Sequence, residues 1–81
     1  MLDVEFIWNE MPGGNVDHIA DNDLTPEDII HALATVTEFT FSRSSGRPAF
    51  KGFAADGRRI FVVYNEVGER TIYVVTAYEI Q

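Results

Sequence analysis

The sequence contains no cysteine, which excludes disulfides, thiolate metal sites and a cysteine nucleophile. Only His18 and His31 offer imidazole, so a multi-histidine zinc site is excluded as well. No apolar run approaches the about 20 residues that a membrane-spanning helix needs. Met1 leads into Asp3 and Glu5 rather than into a basic stretch followed by an apolar one. No secretory signal is therefore expected, and the expected setting is soluble and cytoplasmic, with no membrane partner. Positive charge is scarce: six Lys and Arg stand against thirteen Asp and Glu, for a net charge of −7. A potential of that sign opposes nonspecific binding to nucleic acid.

The scarce cations are also segregated. Residues 1–38 carry nine acids and no Lys or Arg. Residues 39–81 carry four acids against Arg43, Arg47, Lys51, Arg58, Arg59 and Arg70, a local balance of +2. An anion site confined to the second half is compatible with the acidic whole. The chain has 81 residues and is 46% hydrophobic, with six Phe, three Tyr and one Trp. That is enough for one core and argues against disorder, so a single domain over residues 1–81 is expected.

Val4, Phe6 and Trp8 alternate with Asp3, Glu5 and Ile7, which predicts a short first strand. Met11-Pro12-Gly13-Gly14 reads as a loop, and Asn15 can cap a short helix through Val16, Ile19 and Ala20. Thr25-Pro26-Glu27-Asp28 is a stronger helix start. It has an N-cap hydroxyl, a proline where a missing N–H costs nothing, and two acids at the positive end of the dipole. Ile29, Ile30, Leu33 and Ala34 follow at helical spacing, and β-branched residues from Thr35 onward should end the helix.

The second half reads as an antiparallel meander, with turns at Ser45-Gly46, Asp56-Gly57 and Val67-Gly68. With each pair at the centre of a two-residue hairpin, Phe41 falls opposite Phe50 and Ser42 opposite Ala49. Lys51 then faces Val62, Phe61 faces Val74, and Val62 faces Tyr73. Opposed residues share a side of the sheet. One face then collects Phe39, Phe41, Phe50, Phe61, Val63, Ile72 and Val74, a core surface under the helix. The other collects Thr40, Ser42, Arg47, Lys51, Phe53, Ile60, Val62, Tyr64, Tyr73 and Val75. The expected fold class is α+β, with one or two N-terminal helices on one face of a twisted antiparallel sheet.

On that second face Arg47, Lys51, Tyr64 and Tyr73 form the candidate constellation. Cationic side chains hold phosphate oxygens and stabilise charge on a phosphorane, while tyrosines stack on splayed bases. The same residue types also serve to keep a sheet soluble and packed. No carboxylate cluster shares the face, so neither metal nor cofactor is expected. His18 suits proton transfer by its chemistry but has no partner at a telling spacing. The acids between Asp17 and Asp28 lack the calcium-loop pattern, and Gly13-Gly14 is not followed by a phosphate-loop lysine.

The chain resembles the BrnT-type toxins and related proteins of the RelE/ParE-like superfamily. The resemblance runs through Phe6-Ile7-Trp8-Asn9, Asn15-Val16-Asp17-His18-Ile19-Ala20 and Leu24-Thr25-Pro26-Glu27-Asp28-Ile29-Ile30. It continues through Arg47-Pro48-Ala49-Phe50-Lys51-Gly52, Asp56 to Tyr64, and Ile72 to Glu79. It implies a RelE-like β-α-(α)-β-β-β-β domain. It also implies a ribonuclease toxin that needs no metal, acts on messenger RNA and is neutralised by a cognate antitoxin. Under that resemblance Arg47 matches the arginine before the strand glycine, and Arg58 or Arg59 the one after the Asp-Gly turn. The pattern departs at Asp21-Asn22, where such toxins often carry Lys-His, and at Ala77-Tyr78, where they carry Ala-Arg.

Two functions are thus open on sequence. One is a toxin-family protein of a toxin–antitoxin module, either a metal-independent messenger-RNA ribonuclease using Arg47, Lys51, Arg58 and Tyr64 for chemistry and Tyr73 for the base, or a degenerate relative. The other is a non-enzymatic domain that binds a partner or itself, as a homodimer, through Phe53, Ile60, Val62 and Val75. The registers further predict that Phe61 is a core residue whose truncation costs about 3–5 kcal/mol.

Overall fold

Thr25 begins the better of two helices as its sequence predicts. In the computed structural model, which describes residues 4–81, the Thr25 hydroxyl accepts the Asp28 N–H and the Asp28 carboxylate accepts the Thr25 N–H. This reciprocal cap opens α2 (Pro26–Ala34), whose Ile29 and Ala32 are buried. A shorter helix, α1 (Asn15–Ala20), precedes it. Asn15 is the first residue of α1 rather than its cap. Its buried amide accepts the Asn9 N–H at 2.7 Å and donates to the Ile7 carbonyl at 2.9 Å. It thereby ties the helix to β1 (Glu5–Ile7). Asp3, in the predicted first alternation, lies outside the described residues.

The other strands are β2 (Glu38–Phe41), β3 (Pro48–Phe53), β4 (Arg59–Gly68) and β5 (Thr71–Glu79). They form a meander in which neighbours are antiparallel. The sheet order is β1-β5-β4-β3-β2, and β1 runs parallel to β5, so the sheet is mixed rather than antiparallel throughout. Hairpin signals report only chain-adjacent pairs, and the β1–β5 contact joins residues far apart in sequence.

Both helices cover the same face. Ile19, Leu24, Ile29 and Ala32 meet Phe50, Ala54, Ile60, Val62, Val74 and Ala77 in one hydrophobic cluster. Helix α2 lies so close over β3 that a Cβ on Gly52 would overlap the Ala32 carbonyl. The fold class is α+β, with two helices on one side of a five-stranded sheet.

The register differs from expectation at the turn that looked most secure. Asp56-Gly57 is not the centre of a two-residue turn. The loop is Ala55-Asp56-Gly57, closed by Ala54 N–H to Arg58 carbonyl at 2.8 Å, with Gly57 at φ +93°. Three-residue loops of this kind use a left-handed residue at the third position. Lys51 therefore pairs with Phe61 and Phe50 with Val62, a slip of one residue that turns β4 over. Phe61 and Val63 lie on the helix-free face with Lys51, whereas Ile60, Val62 and Tyr64 lie under the helices. The expected core role of Phe61 is overturned. So is the apolar patch of Phe53, Ile60, Val62 and Val75, because Ile60 and Val62 are wholly buried by their own chain.

The β4–β5 turn falls at Glu69-Arg70 instead of Val67-Gly68, with Arg70 at φ +61°. A register shift between Val63 and Tyr64 then sets Val74 beside Tyr64 and Thr76 beside Val63. In the β2–β3 hairpin the pairing is Phe39 with Phe50 and Thr40 with Ala49, two residues from the predicted register. A shift of two preserves sides, so Phe39, Phe41 and Phe50 do share the helix side.

Candidate functional site

The helix-free face carries a groove of ≈ 670 Å³ at the β2 end of the sheet. Alternation along the strands decides most of what enters it, with Phe41 at the end of β2 as an exception. Glu38, Thr40 and Ser42 come from β2 and its continuation, Lys51 from β3, Arg59 and Phe61 from β4, and Tyr78 from β5. The loop after β2 adds Arg43 and Ser44. Three of the chain's six basic residues thus converge on one concavity.

Its floor is an aromatic pair. Phe61 and Tyr78 are directly opposed across β4 and β5, with ring centroids 5.5 Å apart and planes at 33°. Tyr78 is 41% exposed, which leaves part of its side chain accessible from the groove. Lys51 lies 3.3 Å from the carboxylate of Glu38, the one Asp or Glu that lines the groove among the described residues. Both side chains remain partly exposed, so this ion pair contributes little to stability and can be exchanged for a ligand anion. Arg59 donates to the backbone oxygen of Gln81 at 3.1 Å, which holds the guanidinium near the groove. The hydroxyls of Ser42 and Ser44 are 3.2 Å apart.

The residues expected from sequence divide among four places. Lys51 is in the groove. Arg47 and Tyr73 are on the same face but outside the groove lining. Arg47 donates to Asn65 at 3.1 Å, and Asn65 is paired with Tyr73. Arg47, just before β3, and Lys51 within it are four residues apart, and their head groups go to different partners, Asn65 and Glu38. Arg58 sits on the β3–β4 loop, held by the Asp56 carboxylate at 2.8 Å and the Asp23 carbonyl at 2.8 Å. Its side-chain hydrogen bond with Asp56 raises the guanidinium's pKa and lowers the carboxyl's, a local clamp on the hairpin.

Tyr64 is on the opposite side of the sheet from the groove, a correction forced by the turned-over β4. Its ring packs on Phe50 at 5.8 Å. Burial, with the charge of Glu66 second, pushes its hydroxyl above the ordinary phenol range. His18 is exposed on α1, and His31 uses Nδ1 to meet the Phe53 carbonyl at 2.7 Å, joining α2 to β3.

Glu38, Arg43, Arg59, Phe61 and Tyr78 are among the groove residues that the sequence-based constellation omitted. Arg59 was within reach, since the resemblance left Arg58 and Arg59 open. Phe61 would have followed from a three-residue reading of the Ala55-Asp56-Gly57 loop. Among the described residues no three His, Asp or Glu side chains converge as a metal site, and no helix is long and apolar enough to cross a membrane. No protein-family model, curated protein or solved structure matches the chain at a significant level.

Proposed function

We propose that the chain is a RelE/BrnT-like toxin-family protein of a toxin–antitoxin module, acting in the cytoplasm on single-stranded RNA. The observation that carries the reading is the convergence of Arg43, Lys51 and Arg59 around the Phe61–Tyr78 pair in one groove. The element order β-α-α-β-β-β-β, which is the order that family resemblance implies, supports it. In this reading the cations take phosphate oxygens and a base stacks on Tyr78. Glu38 is the acceptor for a 2′-hydroxyl proton. The 2′-oxygen attacks phosphorus, the bond to the 5′-oxygen breaks as that oxygen takes a proton from water, and Lys51 and Arg59 stabilise the charge on the phosphorane. The products are a 2′,3′-cyclic phosphate and a 5′-hydroxyl, and the scheme requires no metal. A cognate antitoxin is the partner that would cover the groove.

The test is cleavage of an end-labelled single-stranded RNA in EDTA, with growth arrest on induced expression as its cellular counterpart. Lys51→Ala and Arg59→Ala should each reduce cleavage by about a hundredfold or more, the usual effect of removing one transition-state charge stabiliser. Glu38→Gln should abolish the cyclic-phosphate product, and Tyr64→Phe should leave cleavage unchanged. RNA binding by anisotropy without cleavage would reduce the proposal to an RNA-binding relative. Neither binding nor growth arrest would favour the non-enzymatic interaction domain.

A further inference from the structure

Strand β2 forms one edge of the sheet and β1 the other. Ser42 N–H donates inward to the Arg47 carbonyl at 2.8 Å. By antiparallel alternation Thr40 also bonds inward, to Ala49, so Phe39 and Phe41 present their N–H and C=O groups outward. Their rings are 53% and 68% exposed. Edge strands are ordinarily protected by short length, charge, proline or a bulge; β2 is four residues long and carries one charge, Glu38, which leaves its two phenylalanines uncovered.

We propose that two copies of the chain pair antiparallel through β2, with Thr40 on the two-fold axis. Only this register uses all four outward groups: Phe39 opposes Phe41 of the second copy, Phe41 opposes its Phe39, and each pair exchanges two backbone hydrogen bonds. The rings then meet across the strands on the helix side, beside the small apolar pocket that Phe39 lines. Charge fits the same register. Glu38 falls opposite Ser42 of the second copy, next to its Arg43, and well away from the second Glu38. Among the described residues, no side-chain hydrogen bond or ion pair holds Arg43.

The area sets the strength. Taking about 200 Å² for a whole Phe, the exposed parts of the two rings amount to about 240 Å² per copy. That is well below the roughly 800 Å² per partner of a standard interface, so the dimer is reversible and forms at micromolar concentration or above. Thr40 and Ser42 line the basic groove, so pairing would set two grooves edge to edge across the axis. The pairing stands on the strand edge alone and does not rest on what the groove binds.

Sedimentation velocity of the full chain over a wide concentration range should show a monomer–dimer equilibrium that Phe41→Lys shifts to monomer without changing the far-UV spectrum. Thr40→Cys reads the register, because Cα atoms of such a non-hydrogen-bonded pair lie about 4.5 Å apart, within disulfide range. Under a glutathione redox buffer it should form a covalent dimer at least tenfold faster than Glu38→Cys, in a chain otherwise free of cysteine. A wild type that stays monomeric at several hundred micromolar would overturn the proposal. A dimer that Phe41→Lys leaves intact, or equal cross-linking of the two cysteine variants, would place the contact elsewhere and overturn it too.

Discussion

Truncating Phe50, Ile60 and Phe61 in turn tests the register on which the groove depends. Phe50 is fully buried, with the rings of Phe39 and Tyr64 at 6.1 and 5.8 Å. Phe50→Ala should cost about 3–5 kcal/mol, the loss of transfer energy plus an uncollapsed cavity. A chain of 81 residues has a total stability of about 4–12 kcal/mol, so this variant should be close to unfolding. Ile60 is likewise fully buried, and Ile60→Ala should cost about 2–5 kcal/mol. Phe61 is only partly buried and has Tyr78 as its ring partner. Its truncation forfeits one aromatic contact of about 0.5–1.5 kcal/mol and a modest burial, or about 1–2 kcal/mol in all. Urea unfolding should be followed by far-UV circular dichroism and by fluorescence of Trp8. Trp8 packs against the core and stacks on Phe6 at 5.7 Å, so it reports loss of tertiary structure. The decisive comparison is between chain neighbours: the smaller side chain, Ile60, should be the costlier to remove. If Phe61→Ala proves as damaging as Phe50→Ala and costlier than Ile60→Ala, β4 faces the other way and the groove loses its floor.

Two further outcomes follow from the contacts that hold the helices and the β3–β4 loop. Asp28 is nearly buried and accepts from the Thr25 N–H, the Thr25 hydroxyl and the Ala55 N–H, so Asp28→Ala should lower stability by about 2–3 kcal/mol in the same urea assay, more than the about 1 kcal/mol expected of Thr25→Ala. The Asp56 carboxyl, held down by its hydrogen bonds from Arg58, should titrate below the ordinary carboxylate range when its carbon is followed by NMR, and return to that range in Arg58→Gln. Because the folded value is the depressed one, the stability it lends is complete above the ordinary carboxylate range and is lost as pH falls through the folded value.

How far the sequence was readable depended on whether the signal was local. Helix α2 was legible because every part of its start, from the Thr25 hydroxyl to the Asp28 carboxylate, lies within four residues. The helix side of β2, β3 and β5 was legible in Phe39, Phe41, Phe50, Ile72 and Val74. The side of β5 came out right only because two one-residue errors cancelled, the turned-over β4 and the shift at Val63/Tyr64. The parallel β1–β5 pair left no mark in either segment. Asn15 looked like a cap because its amide suits that task, but its partners, Ile7 and Asn9, precede the helix. Half of the site was hidden for the same reason. Lys51 could be placed, whereas Phe61 and Tyr78 meet only once β4 and β5 are correctly opposed.

The choice between a two- and a three-residue loop at Asp56-Gly57 is therefore the step that separates sequence from site, and it is not made locally. Asp-Gly favours the two-residue turn in isolation. The longer loop prevails here because the rest of the fold holds its backbone. Asp28 accepts the Ala55 N–H at 3.0 Å, and Arg58 reaches from Asp56 to the Asp23 carbonyl before α2. The carboxylate that caps α2 thus also fixes the loop that orients β4. With period-two alternation, that single residue of slip exchanges Ile60, Val62 and Tyr64 for Arg59, Phe61 and Val63 on the open face. The exchange improves both sides at once. Ile60 and Val62 complete the core beneath α2, and Arg59 and Phe61 join Lys51 where the helices do not reach. A core that needs aliphatic side chains and a groove that needs cations and rings select the same register, and the α2 cap enforces it.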